Sequence, residues 1–342
     1  MGAPSGEGIL VTGANGFVGA ALAAALVGES VPARFAVRCG TSEAELRGKV
    51  AAAARDPGAG RAVDVVRVGE VGAGTQWAAA LSGIGAVVHC AAHVHRPLET
   101  PAEIRRFHAV NAEGTGRLLA ACAASGAGRF VLASTTAVYD WAQDGRARGE
   151  DDRLAPASAY GRSKLESERL VQASGLDWRI ARIATVYGDG DRANFFRLAE
   201  ALRRRRFVLP GDGRARKSVL PVARAAELLA RLALLPGAGG SIVNLAAPAA
   251  PSLAEICAAF CAACGYARPA RAPLPLLRTA GALGDALAIL GVRFPLTTDV
   301  LGKLTSETVV DVGRMQAYFP DLRWDTFEDT LRKSSLYYGR IV

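Results

Sequence analysis

The sequence predicts an α/β fold, in which a doubly wound parallel β-sheet is followed by a smaller C-terminal lobe. Up to about residue 180, short and continuously apolar runs alternate with longer helical patterns. Continuous apolar strands suit a sheet covered on both faces, and repeated strand–helix–strand units imply right-handed crossovers between parallel strands. A chain of 342 residues is also long enough for two lobes.

The individual elements follow from these patterns. Strands are predicted at Gly8–Thr12, Arg34–Val37, Val63–Val68, Ala86–His89, Phe130–Ala133 and Arg179–Ile183, with helices at 18–28, 43–54, 76–82, 103–125 and 158–174. Beyond residue 185 the pattern is irregular, with helices around Phe195–Arg205, Val222–Leu234 and 252–264 and a strand at Ile242–Leu245. We therefore predict a first domain over 1–185, to which parts of 214–246 return, and a second lobe over 186–342.

Composition and charge indicate which kinds of molecule the protein is expected to bind. The net charge of +9 suits a small polyanion such as a nucleotide diphosphate. Only 6% of the residues are aromatic and no basic stripe is interleaved with them, so nucleic acid is not expected as a partner. No signal-peptide pattern precedes the first strand, so we expect a reducing, cytoplasmic location.

Cysteine, histidine and one apolar segment each have a structural interpretation. Cys257, Cys261 and Cys264 lie on an apolar helix face, where free cysteine packs as a small hydrophobe, and His93 and His95 lack a third ligand, so no metal site is predicted. The segment Pro273–Gly291 is mostly apolar. Its charged residues, glycines and prolines argue against membrane insertion and favour a core or lid helix.

A glycine-rich turn follows the first strand in Gly8–Gly19, which reads GILVTGANGFVG. Glycine permits a tight turn and a close backbone approach to a pyrophosphate, while the N–H groups of the next helix face the anion. This arrangement predicts a Rossmann-type dinucleotide site. The residues expected to contact the dinucleotide here are Gly13, Asn15, Gly16, Phe17, Val18 and Gly19.

Arg38 stands at the end of the second strand, where an acidic residue usually holds a free ribose 2′-hydroxyl. A guanidinium there can bind a 2′-phosphate through two hydrogen bonds. Arg38 therefore favours NADP over NAD as the cofactor. The alternative is that Arg38 stacks on the adenine or points to water.

Tyr160 and Lys164, in YGRSK, lie four residues apart at the start of a predicted helix and so share one face. Free tyrosine is only about a thousandth ionised at neutral pH. We expect the ammonium, together with an oxidised nicotinamide, to lower the pKa of the phenol. Tyr160 can then accept the proton of a substrate hydroxyl as hydride leaves carbon.

Several motifs, in order, resemble the extended short-chain dehydrogenase/reductases of the NAD-dependent epimerase/dehydratase family, especially those like UDP-glucose 4-epimerase. They are VTGANGFVG, HCAA, NAEGT, YGRSK, RIATVYG and RKSVLPV. The resemblance implies catalytic roles for Asn111 and Thr135 beside Tyr160 and Lys164. It also implies cofactor contacts for Glu70, Val71, Ala91, Ala92, Tyr160, Lys164, Ala184 and Val186, and substrate contacts for Thr135, Asn194 and Arg216.

The resemblance leaves the reaction open. It favours a 4-epimerase acting on a nucleotide-diphosphate sugar, whereas Arg38 favours a 4-keto-sugar reductase that consumes NADPH. A dehydratase is disfavoured because Thr136–Ala137 replace the usual Asp-Glu pair, and a non-catalytic sensor is disfavoured because Tyr160 and Lys164 are both present. RIATVYG lacks the usual proline and asparagine, which leaves the sugar open. Relatives of this kind imply a homodimer formed through helices 103–125 and 158–174.

Overall fold

The structure is a computed structural model that describes residues 7–54, 58–61, 63–72, 74–94, 100–141, 144–292 and 294–339. His95 lies outside these residues. The chain divides into two compact units. The first comprises Met1–Asp140, Glu150–Ala184 and Val222–Leu245, and the second comprises Trp141–Gly149, Thr185–Pro221 and Ala246–Val342. The first unit differs from the predicted domain in that residues 141–149 belong to the second unit.

The elements are as follows. The strands are β1 (Gly8–Thr12), β2 (Ala33–Val37), β3 (Asp64–Arg67), β4 (Ile84–His89), β5 (Arg129–Thr135), β6 (Asp177–Ile183), β7 (Thr185–Tyr187), β8 (Val208–Pro210), β9 (Val219–Pro221), β10 (Ser241–Leu245) and β11 (Ala270–Ala272). The helices are α1 (Phe17–Gly28), α2 (Gly40–Ala54), α3 (Ala78–Leu81), α4 (Pro101–Phe107), α5 (Gly114–Ser125), α6 (Ala159–Gln172), α7 (Asn194–Arg203), α8 (Val222–Leu234), α9 (Leu253–Cys264), α10 (Leu274–Ile289), α11 (Thr298–Thr305), α12 (Gly313–Tyr318), α13 (Phe327–Lys333) and α14 (Ser335–Gly339).

A seven-stranded parallel sheet forms the centre of the first unit, in the order β10-β6-β5-β4-β1-β2-β3. Every residue of β4 is buried, as expected for a strand covered on both faces, whereas β3 at the edge is partly exposed. The strand order reverses between β1 and β4. In doubly wound sheets, ligands bind in the crevice beyond the carboxyl ends of the strands at this reversal.

The predicted strands and most predicted helices are confirmed to within a few residues. The helix predicted over 103–125 is wrong in one place, because a π-helical segment, His108–Glu113, separates α4 from α5. A π-segment adds a single residue to one turn, which hydrophobic periodicity does not register. The three-residue strands of the second unit, β7 paired with β9 and β8 paired with β11, were also not predicted.

The second unit has a core rich in aromatic residues, in which Phe195, Phe260 and Tyr338 pack together. Cys257 and Cys261 are buried in this core, and both are free thiols. The packing interpretation of these cysteines is therefore confirmed.

Helix α10 contains most of the apolar segment Pro273–Gly291. It is not a core helix, because few of its residues are buried, among them Leu277 and Gly281. Within the described residues, no helix combines the length and the hydropathy needed to span a membrane.

Candidate active site

The glycine turn after β1 lies against the end of β4. Gly13 has a φ of +67°, and a Cβ on it would lie 2.6 Å from the backbone of Ala91. A Cβ on Gly19 would run into the carbonyl oxygen of Gly13. Only glycine fits both positions, so this turn brings the backbones of β1, α1 and the Ala91 loop into close contact.

Helix α1 begins at Phe17, and its cap residue, Gly16, has no side chain to bond to the first N–H groups. Those N–H groups can therefore donate to an anion, and the positive end of the helix dipole favours it. Asn15 lies in the glycine turn, two residues before α1 begins, and its Nδ2 donates a hydrogen bond to Glu45 at 3.2 Å. The backbone here fits the pyrophosphate of a dinucleotide.

His89 links the carboxyl ends of β1 and β4. Its Nδ1 lies 2.7 Å from the Thr12 hydroxyl, which accepts the Ala91 N–H at 3.3 Å, and its Nε2 lies 3.1 Å from the hydroxyl of Thr115. Burial lowers the pKa of His89 to about 3, so the ring is neutral and structural. The network fixes the small residue Ala91 beside the glycine turn.

The residues predicted near the adenosine end occupy the neighbouring strand ends. Arg38 follows β2 directly, is exposed, and forms no ion pair with any residue that the structure describes. Glu70 pairs with Arg106 at 2.9 Å, and Val71 is buried against Gly114. The Glu70 loop, Arg106 of α4, the π-helical segment His108–Glu113 and Arg117 of α5 line a groove of about 660 Å³.

Thr135 and Tyr160 meet where β5 ends and α6 begins. Ser158 caps α6 by accepting the Gly161 N–H at 3.0 Å, and so places Tyr160 in the first helical turn. The Thr135 hydroxyl acts on the phenol and lowers its pKa, and the ring of Phe107 lies 6.1 Å from the Tyr160 ring. A substrate oxygen bound between the two hydroxyl groups could contact both.

The pKa of Tyr160 shifts in the direction opposite to our expectation. Burial raises the pKa of Tyr160 to about 12, and the Thr135 hydroxyl opposes the rise. Burial likewise lowers the pKa of Lys164 to about 8, while the Glu168 carboxylate opposes the decrease. In the protein alone, desolvation is the largest cause of both shifts, and it disfavours the charged form of each group.

Lys164 is almost completely buried and interacts electrostatically with His89 and Cys90 at the end of β4. Its Nζ donates no hydrogen bond to any of the described residues. The Lys164 ammonium therefore has hydrogen-bond donors that remain available at the point where the strand order reverses. These donors could bind the hydroxyl groups of a nicotinamide ribose.

Asn111 is buried in the π-helical segment, and its side-chain amide is fully engaged. Oδ1 accepts the His93 N–H at 2.7 Å, while Nδ2 donates to the His93 carbonyl at 3.0 Å and to Ser163 Oγ at 2.9 Å. It therefore ties the loop after β4 to α6. Its catalytic role stays a prediction.

A buried ion pair behind the site was missed at the level of sequence. Glu168 and Arg182 pair at 2.8 Å with side chains 1% exposed, and Ser134 Oγ donates to Glu168 at 2.5 Å. Two signals point to the pair. Glu168 lies one helical turn beyond Lys164, and Arg182 interrupts an apolar strand.

The remaining predicted residues divide between the two units. Ala184 is buried at the end of β6 in the first unit. In the second unit, Val186 lies in β7, Asn194 is the exposed first residue of α7, and Arg216 is exposed and paired with Glu307. Any phosphate bound by Arg216 would compete with that carboxylate.

A doubly wound sheet, a glycine turn opening onto a helix, and a Thr–Tyr–Lys constellation at the strand reversal define a dinucleotide-dependent short-chain dehydrogenase/reductase of the extended type. The model of the "NAD dependent epimerase/dehydratase family" matches residues 9–246, and the chain belongs to this family.

Relatives with known names point to more than one reaction. The chain is 31% identical over 198 residues to a UDP-glucose 4-epimerase of Vibrio cholerae, covering 55% of each chain. It is 30% identical over 286 residues to a 4-hydroxy-2-methyl-3-oxo-4-farnesyl-3,4-dihydroquinoline-1-oxide ketoreductase of Stigmatella aurantiaca, covering 81% of this chain and 79% of the relative. The solved structure of MoeE5 in complex with UDP-glucuronic acid and NAD is 25% identical, with a TM-score of 0.72 and coverage of 97% and 98%.

The matches cover only part of the first curated relatives, which limits the conclusions that can be drawn from them. The first three curated relatives are matched over 36% to 55% of their own length. The chain thus spans about half of these relatives or less, and the similarity extends to the family and the fold.

Proposed function

We propose that this protein is an NAD(P)-dependent 4-epimerase of a nucleotide-diphosphate sugar. The observation that carries the proposal is the placement of Tyr160 in the first turn of the helix that also carries the buried Lys164, with the Thr135 hydroxyl acting on the phenol. The named epimerase among the relatives and the UDP-sugar bound to MoeE5 support the substrate class.

Tyr160, Thr135 and Lys164 have different roles in the proposed reaction. Tyr160 Oη accepts the proton of the sugar C4 hydroxyl during oxidation and returns a proton during reduction. Thr135 hydrogen-bonds the same sugar oxygen and holds it beside the phenol. The Lys164 ammonium favours the phenolate and binds the nicotinamide ribose.

The dinucleotide would be held by the glycine turn at Gly13–Gly19, by the loop at Ala91 and Ala92, and by Lys164. When bound, it supplies the acceptor and donor of hydride at C4. Asn194 and Arg216 would hold the substrate diphosphate, with the arginine fork suited to phosphate oxygens. We also propose a cytoplasmic homodimer.

A specific observation favours the rival function of an NADPH-dependent 4-keto-sugar reductase. Arg38 is exposed directly after β2 and is unpaired among the described residues, which suits a 2′-phosphate. The ketoreductase relative matches the longer part of the chain. In this reaction Tyr160 acts as the acid that protonates the new alkoxide.

Replacing Tyr160 with phenylalanine tests whether the chain is an enzyme of this type. We expect Tyr160→Phe to lose at least about a hundredfold in turnover of UDP-glucose or UDP-glucuronic acid, because the proton acceptor is removed. Cofactor affinity should stay within about twofold, since the phenol is not the main dinucleotide contact.

Tyr318→Phe, in α12, serves as the control and should keep full activity. Equal turnover by Tyr160→Phe and the wild type would contradict the role of Tyr160, whereas cofactor binding without turnover in either protein would favour a sensor. Denaturing the purified protein and identifying the released cofactor separates the two reactions. Tightly held NAD⁺ supports the epimerase, whereas an empty site that binds NADPH more tightly than NADH supports the reductase.

A further inference from the structure

Two tyrosines of α14 hold the turn at residues 188–193, which leads into α7 and which we call the α7 turn. Tyr337 Oη donates a hydrogen bond to the carbonyl oxygen of Asp191 at 2.5 Å. Tyr338 Oη accepts the N–H of Gly188 at 2.9 Å and donates to Asp191 Oδ2 at 3.3 Å. The tyrosines and the α7 turn all belong to the second unit.

The backbone of the α7 turn depends on such contacts for its order. Gly188 and Gly190 have φ values of +132° and +92°, in the region that favours glycine. Because glycine has more backbone freedom to lose than any other residue, two glycines make the ordered form of a turn costly in entropy. A backbone hydrogen bond from the Asp191 N–H to the Gly188 carbonyl, at 3.1 Å, closes the turn. The tyrosine hydroxyls add hydrogen bonds from a separate element.

Asp191 connects the tyrosines to the start of α7. It is 1% exposed, its Oδ1 accepts the Ala193 N–H at 2.7 Å, and its Oδ2 accepts the Phe196 N–H at 2.9 Å. The carboxylate therefore occupies N–H groups at the start of the helix that an anion could otherwise bind. Asn194 is exposed, and its side chain forms no hydrogen bond with any described residue. The Asn194 amide therefore remains available to a ligand.

The hydroxyl groups of the two tyrosines are not needed for packing. The Tyr338 ring is fully buried and meets the Phe260 ring edge-on at 5.0 Å, and the Tyr337 ring lies 6.4 Å from the Phe196 ring. Phenylalanine rings would make the same contacts without the cost of burying a hydroxyl group. Within the described residues, both hydroxyls bond only to the α7 turn. Their role therefore concerns the position of this turn.

We propose that Tyr337 and Tyr338 are positioning residues for substrate binding, because they hold the α7 turn in the form that presents Asn194 to the substrate diphosphate. This inference rests on the proposed function, in which Asn194 binds that diphosphate. The tyrosines act through Asp191 and the backbone of the turn. Because the turn is ordered before the ligand arrives, less conformational entropy is lost on binding.

Removing both hydroxyls tests the proposal. UDP is titrated by calorimetry into the full chain saturated with NAD⁺ or NADP⁺. We expect Tyr337→Phe/Tyr338→Phe to raise the dissociation constant of UDP about tenfold, because hydrogen bonds that order the α7 turn are lost. KM for UDP-glucose or UDP-glucuronic acid should rise by a similar factor, whereas kcat and cofactor affinity should change by less than about twofold. Tyr318→Phe, in α12 of the same unit, is the control and should match the wild type.

A double-mutant cycle tests whether the tyrosines act through Asn194. Asn194→Ala should raise the dissociation constant of UDP about tenfold in the wild type. In Tyr337→Phe/Tyr338→Phe the same change should cost less than about twofold, because the amide is no longer held in place. Amide hydrogen exchange of residues 188–196 should become about tenfold faster in the double tyrosine variant, with the rest of the second unit unchanged.

The possible results distinguish this inference from the proposed function. A wild type that does not bind UDP would contradict both. If the wild type binds UDP, equal affinity in the double tyrosine variant, or additive losses in the cycle, would contradict the positioning role alone. A loss of kcat or cofactor affinity as large as the loss of UDP affinity would also contradict it, since that pattern indicates a general effect on the fold. Each single variant, Tyr337→Phe or Tyr338→Phe, permits the same comparison if the double variant does not fold.

Discussion

At the scale of single residues, cofactor choice depends on one side chain. Arg38 follows β2, where the 2′ position of the adenosine ribose is recognised in dinucleotide folds. It is exposed and lacks an ion-pair partner among the described residues, so its guanidinium is available to a phosphate. An acidic residue in its place would repel that phosphate.

Replacing Arg38 with alanine is expected to weaken NADPH binding by about tenfold to a hundredfold, because a charge-assisted hydrogen bond is lost. NADH binding should change by less than about twofold. Fluorescence titration measures both dissociation constants, with the exposed Arg192→Gln as the control. An equal loss of affinity for NADH would show that Arg38 stacks on the adenine instead.

Residue types and spacing were enough to find Tyr160 and Lys164, because their chemistry is local to one helix. They were not enough to give the direction of the Tyr160 pKa shift, which depends on how much water the fold removes. The Glu168–Arg182 pair was missed for a related reason, since it joins α6 to β6 and no local pattern links those positions.

At the scale of elements, α6 arranges the site through its helical period. Tyr160, Lys164 and Glu168 follow one another at four-residue intervals and share one face. The carboxylate at the far end raises the pKa of the ammonium in the middle, against the effect of burial. Helix α6 therefore sets the charge on Lys164 as well as its position.

This arrangement predicts a pH dependence. Activity that needs the Lys164 ammonium should fall as the pH rises through about 8, because the pKa of Lys164 lies there. Glu168→Gln removes an effect that raises this pKa, so the alkaline limb of the pH–rate profile should move to lower pH. Glu166→Gln, an exposed neighbour on the same helix, should leave the limb in place.

The Glu168→Gln variant also leaves Arg182 buried without its carboxylate, which costs about 3 to 5 kcal/mol. The double variant Glu168→Gln/Arg182→Met removes that charge and permits the same pH measurement if the single variant does not fold. An alkaline limb that stays in place in the folded variant would mean that Lys164 does not control it.

The elements of the first unit were predictable because their apolar runs are long and bounded by turns. The three-residue strands β7, β8, β9 and β11 were not, because so short a segment shows no period. The π-segment was not predictable either, since the bonds that stabilise it, from Asn111 to His93 and Ser163, join distant parts of the chain.

At the scale of the whole molecule, each of the two units is built from separate stretches of chain. The family match ends at residue 246, so it covers the sheet and its helices but leaves out the last 96 residues of the 342. Most of the second unit lies in that part, including α10 and its exposed leucines.

A homodimer formed through the helices at 103–125 and 158–174 predicts a mass by light scattering of about twice 35.5 kDa. Leu170, exposed on α6, should lie in that interface. Leu170→Glu should shift the protein towards monomer, because a buried carboxylate is costly to desolvate. The control Leu234→Glu, on α8, should not. A monomeric wild type would contradict this assembly.

The π-segment at His108–Glu113 constrains how this chain can change in evolution. Losing one residue there would close the wide turn to an ordinary α-helical turn, and α4 and α5 would keep nearly the same rotation about the helix axis. The side chains within the segment would change direction, and Asn111 would no longer meet the backbone of His93. Substitutions on the outside of this helix are therefore tolerable, whereas a single-codon deletion would disrupt the active centre while leaving every catalytic residue in the sequence.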